Sequence, residues 1–270
     1  MEEVIDASET RLFDFRELWR FRELFYFFAW RDVKIKYKQT FLGVVWAMLQ
    51  PVMIMAMLTL FARSVSLNTQ QLKYEVFVFS GLLIWNIIST GLVGASNSIV
   101  NNATIIRKVY FPRLIIPVSS IFVALFDFLI ASILLVPLLI WYDQPVHVGL
   151  LWAWPAAVVV ATIGTLGPGC WLAALSIKYK DFRYIIPFLV QVMFFASPVI
   201  YPLSLVKHPV LQYILAASPA YGSIQLFRAP LTGEWGDTPL LLVSLVSTVL
   251  LLFVGIAYFR RTEDTFADLA

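Results

Sequence analysis

The sequence predicts an all-α integral membrane protein with six transmembrane helices and both termini cytoplasmic, and three observations predict it. The first is composition: 60% of the 270 residues are hydrophobic and only 14% are charged, with a mean hydropathy of +0.80, outside the range of soluble globular domains. The second is the length of the apolar runs. A hydrocarbon core takes ~20 apolar residues per helix, and six stretches meet that need, at about 43–62, 76–97, 114–141, 150–175, 185–201 and 239–259, the fifth being the shortest. A transmembrane barrel would instead show ~10-residue alternating segments. The third is the placement of Lys and Arg, which cytoplasmic flanks retain. Sixteen of them lie before the first span, between spans two and three, between four and five, and after six; only Arg63, Lys73, Lys207 and Arg228 lie on the other side.

Residues 1–41 form a cytoplasmic N-terminal segment in this reading. Its opening, MEEVIDASE, is acidic and lacks the basic start and apolar core of a cleavable signal peptide, so the first span is expected to direct its own insertion. Residues 15–30, FRELWRFRELFYFFAW, are too charged to span. As a helix they place Leu18, Phe21, Phe25 and Phe28 on one face and Arg16, Arg20 and Glu23 on another. That pattern predicts an interfacial helix with its rings at the acyl boundary; an amphipathic helix docked on a partner would show the same one. The next stretch, WRDVKIKYKQTFLGVVWAMLQP, runs from four basic residues into an uncharged span that carries Gln50 and Pro51 in its first turns. Pro51 removes a backbone hydrogen bond, and a spanning helix tolerates that where protein or water satisfies the freed carbonyl.

Between spans two and three, Asn101 and Asn102 are candidate caps for a short cytoplasmic helix that Pro112 ends. Asp127 is the one charge well inside a span. A carboxylate there is a functional candidate by default, as an ion-coupling site. With no second ionisable group inside the membrane, an Asp bonded to a neighbouring helix or facing an aqueous cavity is the favoured alternative. Cys170, the only cysteine, reads as a small packing residue. From Ser197 to Trp235 short apolar runs alternate with five prolines, which predicts re-entrant half-helices. Residues 42–260 are thus the transmembrane domain and 261–270 a cytoplasmic tail. No internal repeat is visible, which disfavours a transporter built of inverted repeats.

Enzymatic constellations are missing. None of the twelve glycines precedes a Lys, so the chain has no phosphate-binding P-loop. His147 and His208, the only histidines, lie far apart in external loops, which argues against a metal site. No Ser/His/acid or Cys/His grouping is suggested, and a membrane-embedded transferase would need a polar cluster that is not there. Aromatic residues make up 16% of the chain. Their flat apolar faces with polar tips suit sugar rings, and weak stacking holds a sliding glycan without fixing it; singly, most read as interfacial belt residues.

Three segments, WRDVKIKYKQTFLGVVWAMLQP, YKDFRYIIPFLVQVMFFASPVIYP and SPAYGSIQLFR, resemble the membrane subunit of type-2 ABC exporters that move O-antigen and teichoic-acid polysaccharides. The resemblance runs in order over nearly the whole chain. It implies a multi-pass permease of the cytoplasmic (inner) membrane, not an enzyme. It also implies pairing as a homodimer with two copies of a separate P-loop ATPase, which would carry the ATP and Mg; no cofactor or metal is expected in this chain. The implied cargo is a lipid-pyrophosphate-linked glycan. Membrane lipids are the remaining contacts, and no nucleic acid is expected.

In that family spans one and five line a channel between protomers, which makes Trp46, Gln50, Pro51, Phe188, Gln191, Phe194, Phe195 and Tyr201 lining candidates. The cytoplasmic helix would transmit closure of the ATPase, through Asn101, Asn102, Arg107, Lys108 and Tyr110. Arg31, Lys34, Lys36 and Lys38, with Tyr37 among them, are candidates for the anionic head group, since clustered basic residues beside a span favour phosphates. As a bare orientation signal they would look the same. The rival reading is an ion-coupled secondary transporter or lipid-linked-sugar flippase using Asp127.

Overall fold

A computed structural model of the chain describes residues 19–38, 43–62 and 72–266. The expectations that fall on 1–18, 39–42, 63–71 and 267–270, including the acidic opening, the charges at Arg11, Arg16 and Arg63, and the last four residues of the C-terminal tail, lie outside the described residues.

Among the described residues every regular element is helical. The chain runs through α1 (Arg22–Tyr37), α2 (Val45–Ala62), α3 (Tyr74–Asn101), the single turn α4 (Ala103–Ile106), α5 (Ile115–Ser132), α6 (Leu135–Trp141), α7 (Leu150–Lys178), α8 (Phe182–Ala196), α9 (Pro209–Ala216), α10 (Pro219–Thr232) and α11 (Thr238–Thr262). Five of these are long and apolar enough to cross a membrane: α2, α3, the α5–α6 rod, α7 and α11 with the turn that follows it. The sixth apolar helix, α8, has 15 residues, and Ser197-Pro198 ends it short of the length expected from sequence. The tightening between α5 and α6 has a local cause. Pro137 has no N–H to offer the Ile133 carbonyl four residues back, and the chain there switches to shorter bonds, from Ile133 N–H to Ile130 O and from Leu134 N–H to Ala131 O.

The bundle is built around α3. Of its most apolar stretch 78% is buried, against 17% for α2, and α5, α7, α10, α2 and α8 all pack on it. Small residues permit the closest approaches. A Cβ on Gly255 of α11 would fall on the Gly167 carbonyl of α7, and one on Gly167 would fall on the Leu251 carbonyl, so the two backbones touch, as membrane helices do where small residues meet.

The stretch after α8 forms two short helices, each started by a proline in its first turn, where the missing N–H costs nothing. Nearly all of α10 is buried. Ser244 of α11 holds its start: Ser244 Oγ accepts from Gly222 N–H at 2.9 Å and donates to Ser218 O at 2.7 Å. Arg228 holds its far end. This side chain is 3% exposed and donates to the carbonyls of Pro198 (2.7 Å), Phe77 (2.7 Å) and Val199 (3.2 Å), with its guanidinium 3.5 Å from the Phe77 ring centroid. It therefore belongs to a buried clamp and is not a solvated flanking charge.

Candidate functional site

Two regions gather the residues singled out by sequence. The first is a groove of about 250 Å³ between α2, α3 and α8. Gln50, Pro51 and Ile54 form one wall, Pro187, Val190, Gln191 and Phe194 the opposite one, and Leu82, Trp85, Asn86 and Ser89 of α3 the floor. Four of the eight lining candidates (Gln50, Pro51, Gln191 and Phe194) thus meet at one place. Phe194 turns inward onto Trp85, ring centroids 5.6 Å apart. Trp46, Phe188 and Phe195 point away and are exposed, and the Tyr201 hydroxyl donates to Phe195 O at 3.0 Å. The floor was missed by sequence. Its signal was there, as one Asn amid the apolar run SGLLIWNIIST. Asn86 Oδ1 accepts from Thr90 Oγ1 at 2.9 Å.

The second region lies around α1. Sequence placed the Phe21, Phe25 and Phe28 face in lipid, but that face packs on protein. Phe28 is buried against Phe111 (5.7 Å) and Phe25 meets Phe122 edge-on (6.4 Å). The exposed aromatics are instead Trp19, Tyr26, Phe27 and Trp30. Two aromatic rows exist on this helix, and periodicity alone did not say which one the bundle would take.

The basic candidates on α1 divide. Arg31 donates to Asp32 Oδ1 from Nε (3.0 Å) and Nη2 (2.7 Å), and from Nη2 to Asn102 Oδ1 (2.8 Å). Lys36 pairs with Asp127 Oδ2, and the Tyr37 hydroxyl donates to Asp127 Oδ1. Burial first, and then the hydrogen bond and charge of Asp127, raise the Tyr37 pKa, so the phenol stays protonated and remains a donor. Lys34 lies over the Trp30 ring at 5.7 Å, and Lys38 is exposed. Arg31, Asp32 and Lys36 line one open cavity of about 600 Å³, together with residues of α3, the α3–α4 junction, α4 and α5. Lys34 and Lys38 do not line it. Asp127, 3% exposed at its side chain, has both oxygens engaged, in keeping with a carboxylate bonded to a neighbouring helix.

Asn102 occupies the N-cap position of α4 but does not cap it with its side chain. Its Nδ2 donates back to Ser98 O at 2.8 Å, and its backbone carbonyl accepts from Ile105 and Ile106 N–H. Asn101, Arg107, Lys108 and Tyr110 are exposed. The last three, with Arg113, surround a small hollow of about 210 Å³, so they form one surface.

Residues 23–232 match the model of the family described as ABC-2 type transporter. The chain belongs to the ABC-2 type transporter family. Its curated relatives include the O-antigen export system permease protein RfbA of Myxococcus xanthus, 30% identical over 258 residues that cover 94% of this chain and 97% of that protein. The protein of the same name from Klebsiella pneumoniae is 23% identical, over 88% of this chain and 92% of its own length. The polysialic acid transport protein KpsM of Escherichia coli is 22% identical over 87% and 91%. The matched region runs from α1 to the end of α10, so this ABC-2 chain has the groove, the α1 cavity and the Arg228 clamp all within the family's common part.

Proposed function

We propose that this ABC-2 chain is the permease subunit of an ATP-driven exporter that moves a lipid-linked, O-antigen-like polysaccharide across the cytoplasmic membrane. The observation that carries the proposal is the match to polysaccharide-export permeases along nearly the full length of both chains. In this reading α8 and the residues up to Tyr201 form a fifth span, which makes six, with both termini cytoplasmic. The α9–α10 pair re-enters from the outside, and two copies of the chain associate through α2 and α8. The low burial of α2 and the exposed Tyr184, Phe188, Val192 and Phe195 of α8 support a partner on that side. The groove with Gln50, Asn86 and Gln191 offers amide groups for sugar hydroxyls among aromatic rings.

Two copies of a P-loop ATPase, with ATP and Mg, supply the work and dock on Arg107, Lys108 and Tyr110. The glycan's pyrophosphate head meets the basic residues of α1 at the cytoplasmic interface. Ion coupling through Asp127 is disfavoured, because its carboxylate is already bonded to Lys36 and Tyr37. Cross-linking tests the arrangement. With Cys170 replaced by Ala, a single cysteine at Phe195 should give a disulfide-linked dimer in membranes, whereas one at Trp141, exposed on another side, should not. Equal cross-linking at both sites, or none at Phe195, contradicts the interface.

A further inference from the structure

A cavity of about 600 Å³ gathers polar groups from α1, α3, α4 and α5 among apolar ones such as Ile35, Ile105 and Val123, and shares no residue with the α2–α8 groove. From Asn101 to Thr90 it follows α3 for eleven residues, roughly 16 Å of helix. It therefore reaches from the end of that helix well into the bundle. About 600 Å³ is the size of a small-molecule site.

Its donors and acceptors are sorted. Thr90, Ser98 and Ser120 have each given their hydroxyl hydrogen to their own helix, to Asn86 Oδ1, Ala95 O and Ile116 O. They present only lone pairs to the cavity. Asp32 uses one carboxylate oxygen on Arg31 and keeps the other. The charged donors are two cations, beside the amide of Asn101 and the hydroxyl of Thr104. The Nη1 hydrogens of Arg31 have no partner among the described residues, and the partly exposed Lys36 gives one of three hydrogens to Asp127. With Arg31 and Lys36 against Asp32, the lining carries one net positive charge.

From this arrangement we infer that the cavity between α1, α3, α4 and α5 binds a phosphate ester whose neighbouring group carries hydroxyls, a glycerol phosphate or a glycosyl phosphate head. The anionic oxygens meet Arg31 and Lys36, and the hydroxyls donate to Thr90, Ser98, Ser120 and Asp32. A phosphocholine head has the anionic oxygens but no hydrogen to donate, and its quaternary ammonium brings a cation to a lining that is already net positive. The inference rests on the proposed reading that this end of α3 faces the cytoplasm, where such heads lie beside α1. It narrows the basic stretch to the two cations that line one cavity.

Native mass spectrometry of the purified full-length protein tests it, with phosphatidylglycerol, phosphatidylcholine, a polyprenyl diphosphate-linked sugar and inorganic phosphate as separate probes. Saturable binding of one phosphatidylglycerol or one diphosphate-linked sugar per chain is expected, at least tenfold tighter than phosphatidylcholine. Whichever of the two binds names the source as bilayer or cargo, and competition between them names both. Arg31→Gln should weaken binding at least tenfold. So should Gly94→Leu, because a Cβ there meets only Ser120, at 3.7 Å, and the longer side chain enters the cavity.

Thr90→Val with Ser120→Ala, which removes two acceptors without adding bulk, should weaken binding severalfold even if the leucine variant does not fold. The exposed Arg261→Gln is the control for diffuse charge and should change binding by less than twofold. If Arg261→Gln weakens binding as much as Arg31→Gln, or if inorganic phosphate binds as tightly as the esters, the inference fails. A complex that exports with ATP but binds neither lipid refutes the cavity alone. One that binds here but does not export refutes the export reading alone.

Discussion

At the scale of residues, the decisive side chains are charged ones whose partners lie far away in sequence. Asp127 is fixed by Lys36 and Tyr37, about ninety positions earlier. Removing one member of a buried pair leaves the other uncompensated and costs ~3–5 kcal/mol when both are enclosed. Since Lys36 is 39% exposed, Asp127→Ala should lose about 2 kcal/mol, at the low end after solvent screening. The double change Lys36→Met, Asp127→Leu should recover most of it. Thermal unfolding in detergent measures both, and export by Asp127→Asn, which leaves Lys36 in place, separates a structural carboxylate from an ion-coupling one. If Asp127 carried ions, that variant would be inert. Arg228→Met should be harsher, at roughly 3 kcal/mol or more, because it strands three buried carbonyls. Arg228→Lys should recover little, since an ammonium does not reproduce the planar fork.

Helices show what a sequence can and cannot declare. The apolar runs were legible because each is a local count against a fixed thickness, and the α9–α10 pair was legible from its prolines. The break between α5 and α6 was also written locally, in Pro137. The buried face of α1 was not, because the helix carries two aromatic rows and the choice is made by Phe111 and Phe122, on segments far along the chain. In the same way Arg228 looks like any external cation until α10 folds beneath α3. Gly81 is what lets it in, as a Cβ there would lie 2.6 Å from Arg228 Nη2. Gly255→Val is the sharpest test at this scale. It should force α11 off α7 and abolish the monodisperse peak of the folded protein in size-exclusion chromatography. Gly43→Ala, at φ +50° with nothing within 4 Å, should cost only about 1 kcal/mol of backbone strain.

At the scale of the whole molecule, the chain is a member of the ABC-2 type transporter family. Gln50 and Gln191 were legible as lining candidates through the resemblance of their segments to exporter subunits. Asn86 and the α1 cavity were not, since they depend on how α3 sits against three other helices. Gln50→Leu with Gln191→Leu should lower export at least fivefold while leaving ATP hydrolysis by the complex within twofold, because the groove lies away from the Arg107–Tyr110 surface; a glycan-release assay beside phosphate release checks it. The most direct test of the central claim is translocation in sealed proteoliposomes that hold this chain and its ATPase, with a lipid-linked glycan on the ATPase side. The account predicts that ATP moves the glycan to the opposite leaflet and that collapsing the ion gradients leaves the rate unchanged. Translocation driven by an ion gradient without the ATPase would contradict it.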